Sequence, residues 1–211
     1  MPGKRGYHHG DLPAALIRTS FEVLAEQGPA AFSVAQVARR LGISTASPYR
    51  HFRDRDHLFA AVATAAAREL TEAVRAAVDA AGDDPAERFA VAGSAYLRFA
   101  VGRGVGFDVI YAADLAALRD EELGAAGREL MDLFTELAEG TGERTKPESL
   151  ELVANLIALA HGYAALYRNG LFAAGRYSLD DLLAQAENGG RALAATPPPD
   201  FRRCRIPGSG D

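Results

Sequence analysis

From Leu12 to Leu193 the apolar residues recur three and four positions apart, and no alternation of apolar and polar residues outlasts four positions. A helix buries one stripe at a period of about 3.6 residues, whereas a half-buried strand needs a period of two. That pattern restricts the chain to an all-α fold. At 211 residues and 48% hydrophobic composition, it can build one large helical domain or a small domain joined to a bigger one.

Turn residues divide the pattern into roughly nine helices. Asp11 is placed to cap a first helix, with Leu12, Ala15, Leu16, Phe21, Val23 and Leu24 apolar, until Gly28-Pro29 stops it. Ser33 caps a second, Val34 to Leu41, which ends at Gly42. A short third falls in 45–52, and Asp54 caps a long fourth that runs to Gly82. Pro85 suits the first turn of a fifth helix to about Val101, where glycines at 102, 104 and 106 break the pattern. Shorter pieces follow through Ala117, then helices of about 119–139, 148–170 and 179–195. After Thr196-Pro197-Pro198-Pro199, the polar tail is expected to be disordered.

The second and third helices carry the most specific signal. Val34, Val37, Ala38 and Leu41 lie at i, i+3, i+4 and i+7, so one stripe of the second helix is buried and Gln36, Arg39 and Arg40 face elsewhere. Gly42 can take the left-handed conformation of a tight interhelical turn, and Ile43 plugs the angle beyond it. Pro48 then restricts the third helix, because proline is tolerated only where the N–H needs no partner inside the helix. Capping by Thr45 makes Pro48 the third helical residue, with no bond lost; capping by Ser44 forfeits one. The third helix is therefore expected to start at Thr45 and to carry Thr45, Ser47, Tyr49, Arg50 and His51 toward a groove.

The run FSVAQVARRLGISTASPYRHFRDRDHLF resembles the DNA-binding domain of the TetR family of bacterial transcriptional regulators. Ala38 precedes the turn, Gly42 makes it, and Tyr49, His51, Phe52 and Arg55 follow in the family's spacing. The opening YHHGDLPAALI looks like a subgroup of that family, and the strong match covers about residues 7–62. The resemblance implies that Tyr49 and His51 touch phosphates, that Thr45, Ser47 and Arg50 approach base edges or phosphate, and that Arg55 holds phosphate at the start of the fourth helix. Ser33 is grouped with them as a DNA-binding candidate. Hydroxyl, phenol, imidazole and guanidinium donors within a few residues suit phosphate positioning with limited base reading. Lys4 and Arg5 are either a free tail or an arm reaching the minor groove.

The charge is distributed to match. Residues 1–57 hold 8 Lys/Arg against 5 Asp/Glu and four of the five histidines, although the whole chain is at −5. A basic head on an acidic body draws polyanions to one end. The single cysteine, Cys204, excludes a disulfide framework and a cysteine zinc site, and points to a reducing cytoplasm. The basic N-terminus has no apolar run behind it and does not read as a signal peptide, and the apolar segment Leu152 to Tyr167 falls short of the roughly 20 residues of a membrane span. His8 and His9 are adjacent and cannot easily converge on one ion, so no metal or cofactor is expected. Nothing pairs a nucleophile with a base, and Asp83-Asp84, Glu121-Glu122 and Asp180-Asp181 sit at helix starts or on solvated faces, so no enzyme is expected.

The resemblance divides the chain into a helix-turn-helix DNA-binding domain at 1–57, with a basic arm at 1–10, a helical ligand-binding and dimerisation domain at 58–195, and a tail at 196–211. YLRFAVGRGVGFDVIYAADL and HGYAALYRNG resemble second-domain patterns of the same subgroup, although the chain lacks that subgroup's tryptophan and has glycine for a usual proline. Tyr96, Phe99, Phe107 and Tyr111 bring large apolar surfaces to helix ends, and Asn155, His161 and Tyr163 are polar groups on an apolar helix. Such polar groups need partners, which are one another, water or a ligand. Leu152, Leu156, Leu159 and Leu166, with Leu182, Leu183 and Leu193, form broad apolar faces that serve either a dimer interface or, for some of them, the chain's own core. The implied partners are double-stranded DNA carrying a palindromic operator, a second copy of the chain and an unidentified small-molecule effector, with no membrane. Repression is the role implied; an activator, or a ligand-binding protein with weak or lost DNA binding, fits the same residues.

Overall fold

A computed structural model describes residues 12–104, 118–172 and 177–197. Among them the chain forms seven α-helices and no strand. They are α1 (Leu12–Ala31), α2 (Val34–Arg40), α3 (Arg55–Ala80), α4 (Pro85–Arg103), α5 (Glu121–Gly140), α6 (Lys146–Arg168) and α7 (Leu179–Ala195). Among the described residues the count is seven rather than the roughly nine expected of the whole chain. The stretch 45–52 contains only a single 3-10 turn, Pro48–Arg50, and the short pieces expected before Ala117 fall outside the described residues.

Short polar side chains set most of the helix starts. Asp54, Asp84, Asp120 and Ser178 each accept a hydrogen bond from a backbone N–H in the first turn of α3, α4, α5 and α7. Glu148 Oε2 accepts from both the N–H and the hydroxyl of Thr145 at the start of α6. α1 kinks where φ reaches 74° at Gly28, the position at which the sequence predicts its end, and one more turn carries the chain to Ala31. Asp11 lies outside the described residues.

The helices bury two apolar clusters. Leu16, Val23, Leu24, Phe32, Val34 and Val37 close around the first half of α3, through Leu58, Phe59, Val62 and Ala66, to form the head. Leu70, Val74 and Val78, farther along the same helix, enter a larger cluster with α4, α5, α6 and α7, the body. α3 thus feeds both cores. The body is packed backbone against backbone in places: a Cβ on Gly190 of α7 would meet Ala90 Cα of α4 at 2.7 Å, and one on Gly93 would meet Leu156 Cδ1 of α6 at 2.7 Å. α6 spans 23 residues and is long and apolar enough to cross a membrane, more than the apolar run Leu152–Tyr167 alone allows. Its Leu152, Val153, Leu156, Ala160 and Ala164 are nevertheless turned into the body core.

Candidate nucleic-acid interface

Val34, Val37 and Ala38 hold α2 against the head core, which leaves Arg39 and Arg40 exposed at its end. The helix then closes with two nested bonds, Ile43 N–H to Ala38 O at 3.0 Å and Gly42 N–H to Arg39 O at 3.0 Å. This is the glycine-terminated helix end, and Gly42 supplies its left-handed residue at φ 67°. A Cβ on Gly42 would touch nothing, so backbone conformation, not space, demands glycine.

The next segment follows directly, and its 3-10 turn spans Pro48–Arg50. Ser44, not Thr45, starts the segment: Ser44 Oγ accepts from Ala46 N–H at 3.2 Å. An α-helix begun there would bring the residue-48 N–H to Ser44 O, and proline has none. Ser47 N–H takes that carbonyl instead at 2.9 Å, Arg50 N–H bonds Ser47 O at 3.2 Å, and His51 N–H bonds Pro48 O at 3.0 Å. The segment is therefore wound as a tight 3-10 turn, and the α-helix expected from Thr45 is not formed.

The turn keeps the expected donors on the surface. Pro48 is buried and Phe52 packs half-buried against the head core, which pins both sides of the segment. Between and around them Thr45, Arg50 and His51 are exposed, Ser47 is half-buried, and Tyr49 is 54% exposed. Among the described residues, no side-chain hydrogen bond or ion pair engages Thr45, Ser47, Tyr49, Arg50 or His51. Ser33, half-buried at the start of α2, makes no side-chain cap bond, while its carbonyl accepts from Gln36 and Val37.

Other cations of the head are already engaged. Arg40 pairs with Glu26 at 2.9 and 2.5 Å, and that hydrogen bond holds the Glu26 carboxyl below its ordinary value. Arg55 Nε donates to Phe32 O at 3.3 Å, its guanidinium lies 5.2 Å from the Phe59 ring centre, and it pairs with Asp56 at 3.2 Å. Arg55 thus braces α3 against the end of α1, whatever else it touches. His57 joins the site as well, its Nδ1 lying 2.7 Å from Asp54 Oδ1. That contact, with the N–H groups of the α3 first turn, lowers the Asp54 pKa. The only sequence signal for it was the i, i+3 spacing behind a cap.

The body residues behave differently. Tyr96 is buried, and its hydroxyl meets His161 Nδ1 at 3.0 Å. Phe99 and Tyr163 pack half-buried against the body core. Asn155 is exposed and lines a separate open groove of about 390 Å³ with Arg144, Glu148, Glu151 and Leu193, so the candidates do not converge on one pocket. Phe107 and Tyr111 lie outside the described residues. Of the leucines on the apolar faces, Leu152, Leu156, Leu182 and Leu183 are buried in the chain's own core, Leu159 and Leu193 are half-buried, and Leu166 is exposed.

The family of bacterial regulatory proteins of the tetR type matches residues 16–62, and a tetracyclin repressor-like C-terminal domain matches residues 89–186. Together these stretches cover more than half of the chain. A curated relative, the HTH-type transcriptional regulator BetI of Stenotrophomonas maltophilia, is 38% identical over 73 residues, which span 35% of this chain and 37% of BetI. A structure of a protein of unknown function from Rhodococcus sp. RHA1 aligns at TM-score 0.74 and 28% identity, over 90% of this chain and 98% of the other. Fold alone is shared at 14% identity with the fatty acid degradation regulator FadR of Bacillus halodurans (TM-score 0.63, 87% of this chain, 96% of FadR). The same holds for AibR in complex with isovaleryl coenzyme A and operator DNA (14% identity, TM-score 0.65, 84% of this chain, 96% of AibR).

Proposed function

The chain belongs to the TetR family of bacterial regulatory proteins, with a helix-turn-helix DNA-binding head, and on that premise we propose that it is a homodimeric repressor of a palindromic operator, released by a small-molecule effector. The observation that carries this reading is the set of unspent donors on the turn around Pro48. Tyr49, Arg50 and His51 stand exposed on a segment clamped by buried Pro48 and half-buried Phe52. Polar groups that a fold leaves exposed and unpaired on a rigid mount are suited to an external polyanion. In this reading Thr45, Ser47 and Ser33 add hydroxyl contacts, Arg55 faces phosphate with its exposed edge, and Arg50 either reads a guanine or grips the backbone. The protein acts in the cytoplasm, where its DNA is, and catalyses no reaction.

The dimer is assigned to the outer face of α6. Leu150, Ala154, Ala158, Gly162 and Leu166 lie four residues apart along one ridge, with both leucines 42% exposed and the space over Gly162 open. Small residues between two leucines let a second helix approach closely, and a two-fold dimer is what two half-sites of an operator require. We take the effector region to lie by the half-buried Phe99 and Tyr163, with the paired Tyr96 and His161 as its inner support rather than as free donors. That a small molecule is sensed at all is supported by the like-folded AibR, whose structure holds isovaleryl coenzyme A and operator DNA. An effector works by favouring the dimer geometry that misfits the operator.

The test is selection from a random duplex library by the full-length protein, followed by gel retardation. An inverted repeat with one preferred spacing is the expected product. Recovery of no duplex would leave a ligand-binding protein without DNA activity, and recovery of a single unrepeated half-site would remove the dimer.

A further inference from the structure

Head and body are joined by more than α3. At the last residue of α4 the Arg103 guanidinium lies 5.0 Å from the centre of the Phe21 ring on α1 and 5.6 Å from that of Phe99 one turn back on α4. It also pairs with Glu69 of α3, whose Oε2 is shut off from solvent. Phe21 is part of the head core, whereas Phe99 packs on the body core, so one side chain bridges the two. The adjoining Gly104, at φ 59°, offers its carbonyl to Arg168 Nη1 of α6 at 3.0 Å. The end of α4 is thus tied to α6 on one side and holds α1 on the other. A second lateral contact stands at the start of α5, where Leu118 and Leu123 pack against the head core and Glu122 pairs with Arg68 of α3 at 3.2 Å.

A head carried on one helix alone can swivel and bend about it. Contacts to the side of that helix remove those freedoms, and Arg103 supplies one that places a charge between two rings and a carboxylate. The planar guanidinium matters, because it stacks on aromatic faces as lysine cannot. We propose that Arg103 is a positioning residue that fixes the angle of the head on the body, and with it the half-site spacing that the dimer accepts. The inference rests on the proposed DNA-binding dimer. In such a dimer the two recognition turns must sit about 34–36 Å apart, one turn of DNA. One base pair added at the centre moves a half-site about 3.4 Å along the duplex and rotates it about the axis as well. A clamped head cannot follow that displacement; a loosened one can.

The experiment titrates wild type, Arg103→Ala and Arg103→Lys against the selected duplex and against versions with one base pair inserted or removed at its centre. Wild type is expected to lose about tenfold or more on either change of spacing. Arg103→Ala should lose about threefold or less while binding the original duplex within about threefold of wild type, and Arg103→Lys should fall between. Reading the ratio between duplexes cancels any general loss of folded protein, and Arg103→Lys carries the test if the alanine variant does not fold. A spacing penalty equal to wild type in the variants that fold overturns the inference while leaving DNA binding intact. If wild type retains no duplex, the DNA-binding reading fails, and this inference fails with it.

Discussion

The turn around Pro48 and the Tyr96–His161 contact hold the same kinds of side chain, a tyrosine near a histidine, in opposite circumstances. Tyr49 is 54% exposed and neither it nor His51 hydrogen-bonds through its side chain to a described residue. Tyr96 is 1% exposed, and its hydroxyl and the His161 ring satisfy each other across two helices. Buried polar groups must be paired for the fold to be stable, so their pairing says little about ligands. Polar groups left outside on a clamped segment cost the fold nothing and remain available. The head therefore advertises its partner, whereas the body uses its polarity internally.

The largest effect should come from the dimer face proposed on α6. Ala158→Arg puts a charge into the middle of the apolar ridge of α6; sedimentation should show a monomer, and affinity for a palindrome should fall by about a hundredfold or more, since two linked contacts become one. A dimer that persists would move the interface elsewhere. Next in size, Tyr49→Ala should lower operator affinity by about 1 to 1.4 kcal/mol, about fivefold to tenfold, with an unchanged thermal midpoint. Tyr96→Phe should do the reverse. It removes one buried hydrogen bond, costing about 1 kcal/mol of stability, which calorimetry reads as a lower midpoint, and it should leave affinity for DNA alone. If Tyr49→Ala lowers the midpoint as Tyr96→Phe does, the division between available and internally used polarity is wrong.

The smallest effect concerns acid. His57 holds the Asp54 carboxyl below its ordinary range in the head, as the Ser178 hydroxyl and N–H do for Asp181 in the body. Both groups are favoured when ionised in the folded chain, so their contribution is full above the carboxylate's unfolded pKa and fades as pH falls through the lower folded value. An acid titration followed by circular dichroism should therefore be shallower for Asp54→Asn than for wild type. An identical slope would mean that the cap of α3 has no part in acid unfolding.

Much of this arrangement is legible before any coordinates, because it depends on neighbours in the chain. Asp54, Pro85 and Gly42 punctuate helices by local chemistry, and the structure places each as a cap, a first-turn proline and a left-handed helix end. Thr45 was the wrong start for a related reason. Ser44 and Thr45 are both hydroxyl residues able to open the segment, and that Ser44 Oγ takes the Ala46 N–H while Pro48–Arg50 winds as a 3-10 turn leaves no mark in composition. The leucines of α6 and α7 show a different limit. A period of 3.6 residues says that a helix has an apolar stripe, not what covers it. Gly93 lets α4 close on Leu156 and Gly190 lets α7 close on α4; Leu152, Leu156, Leu182 and Leu183 are buried inside, Leu159 and Leu193 half-buried, and Leu166 is left outside. Arg103 could not be foreseen at all, since its ring partner Phe21 lies far back in the chain and on another helix.

The most direct test of the account is the salt dependence of operator binding by wild type and Arg50→Ala. Each phosphate neutralised contributes about 0.9 to the slope of log K against log salt. If the Arg50 guanidinium lies on the backbone, the variant's slope should be flatter by about 1 and its affinity lower on every duplex; if Arg50 reads a guanine, the slope should hold while preference at one base position relaxes. Either result places the turn around Pro48 against DNA. Wild-type affinity, slope and sequence preference all retained by Arg50→Ala would contradict the claim that this turn contacts DNA through its exposed donors.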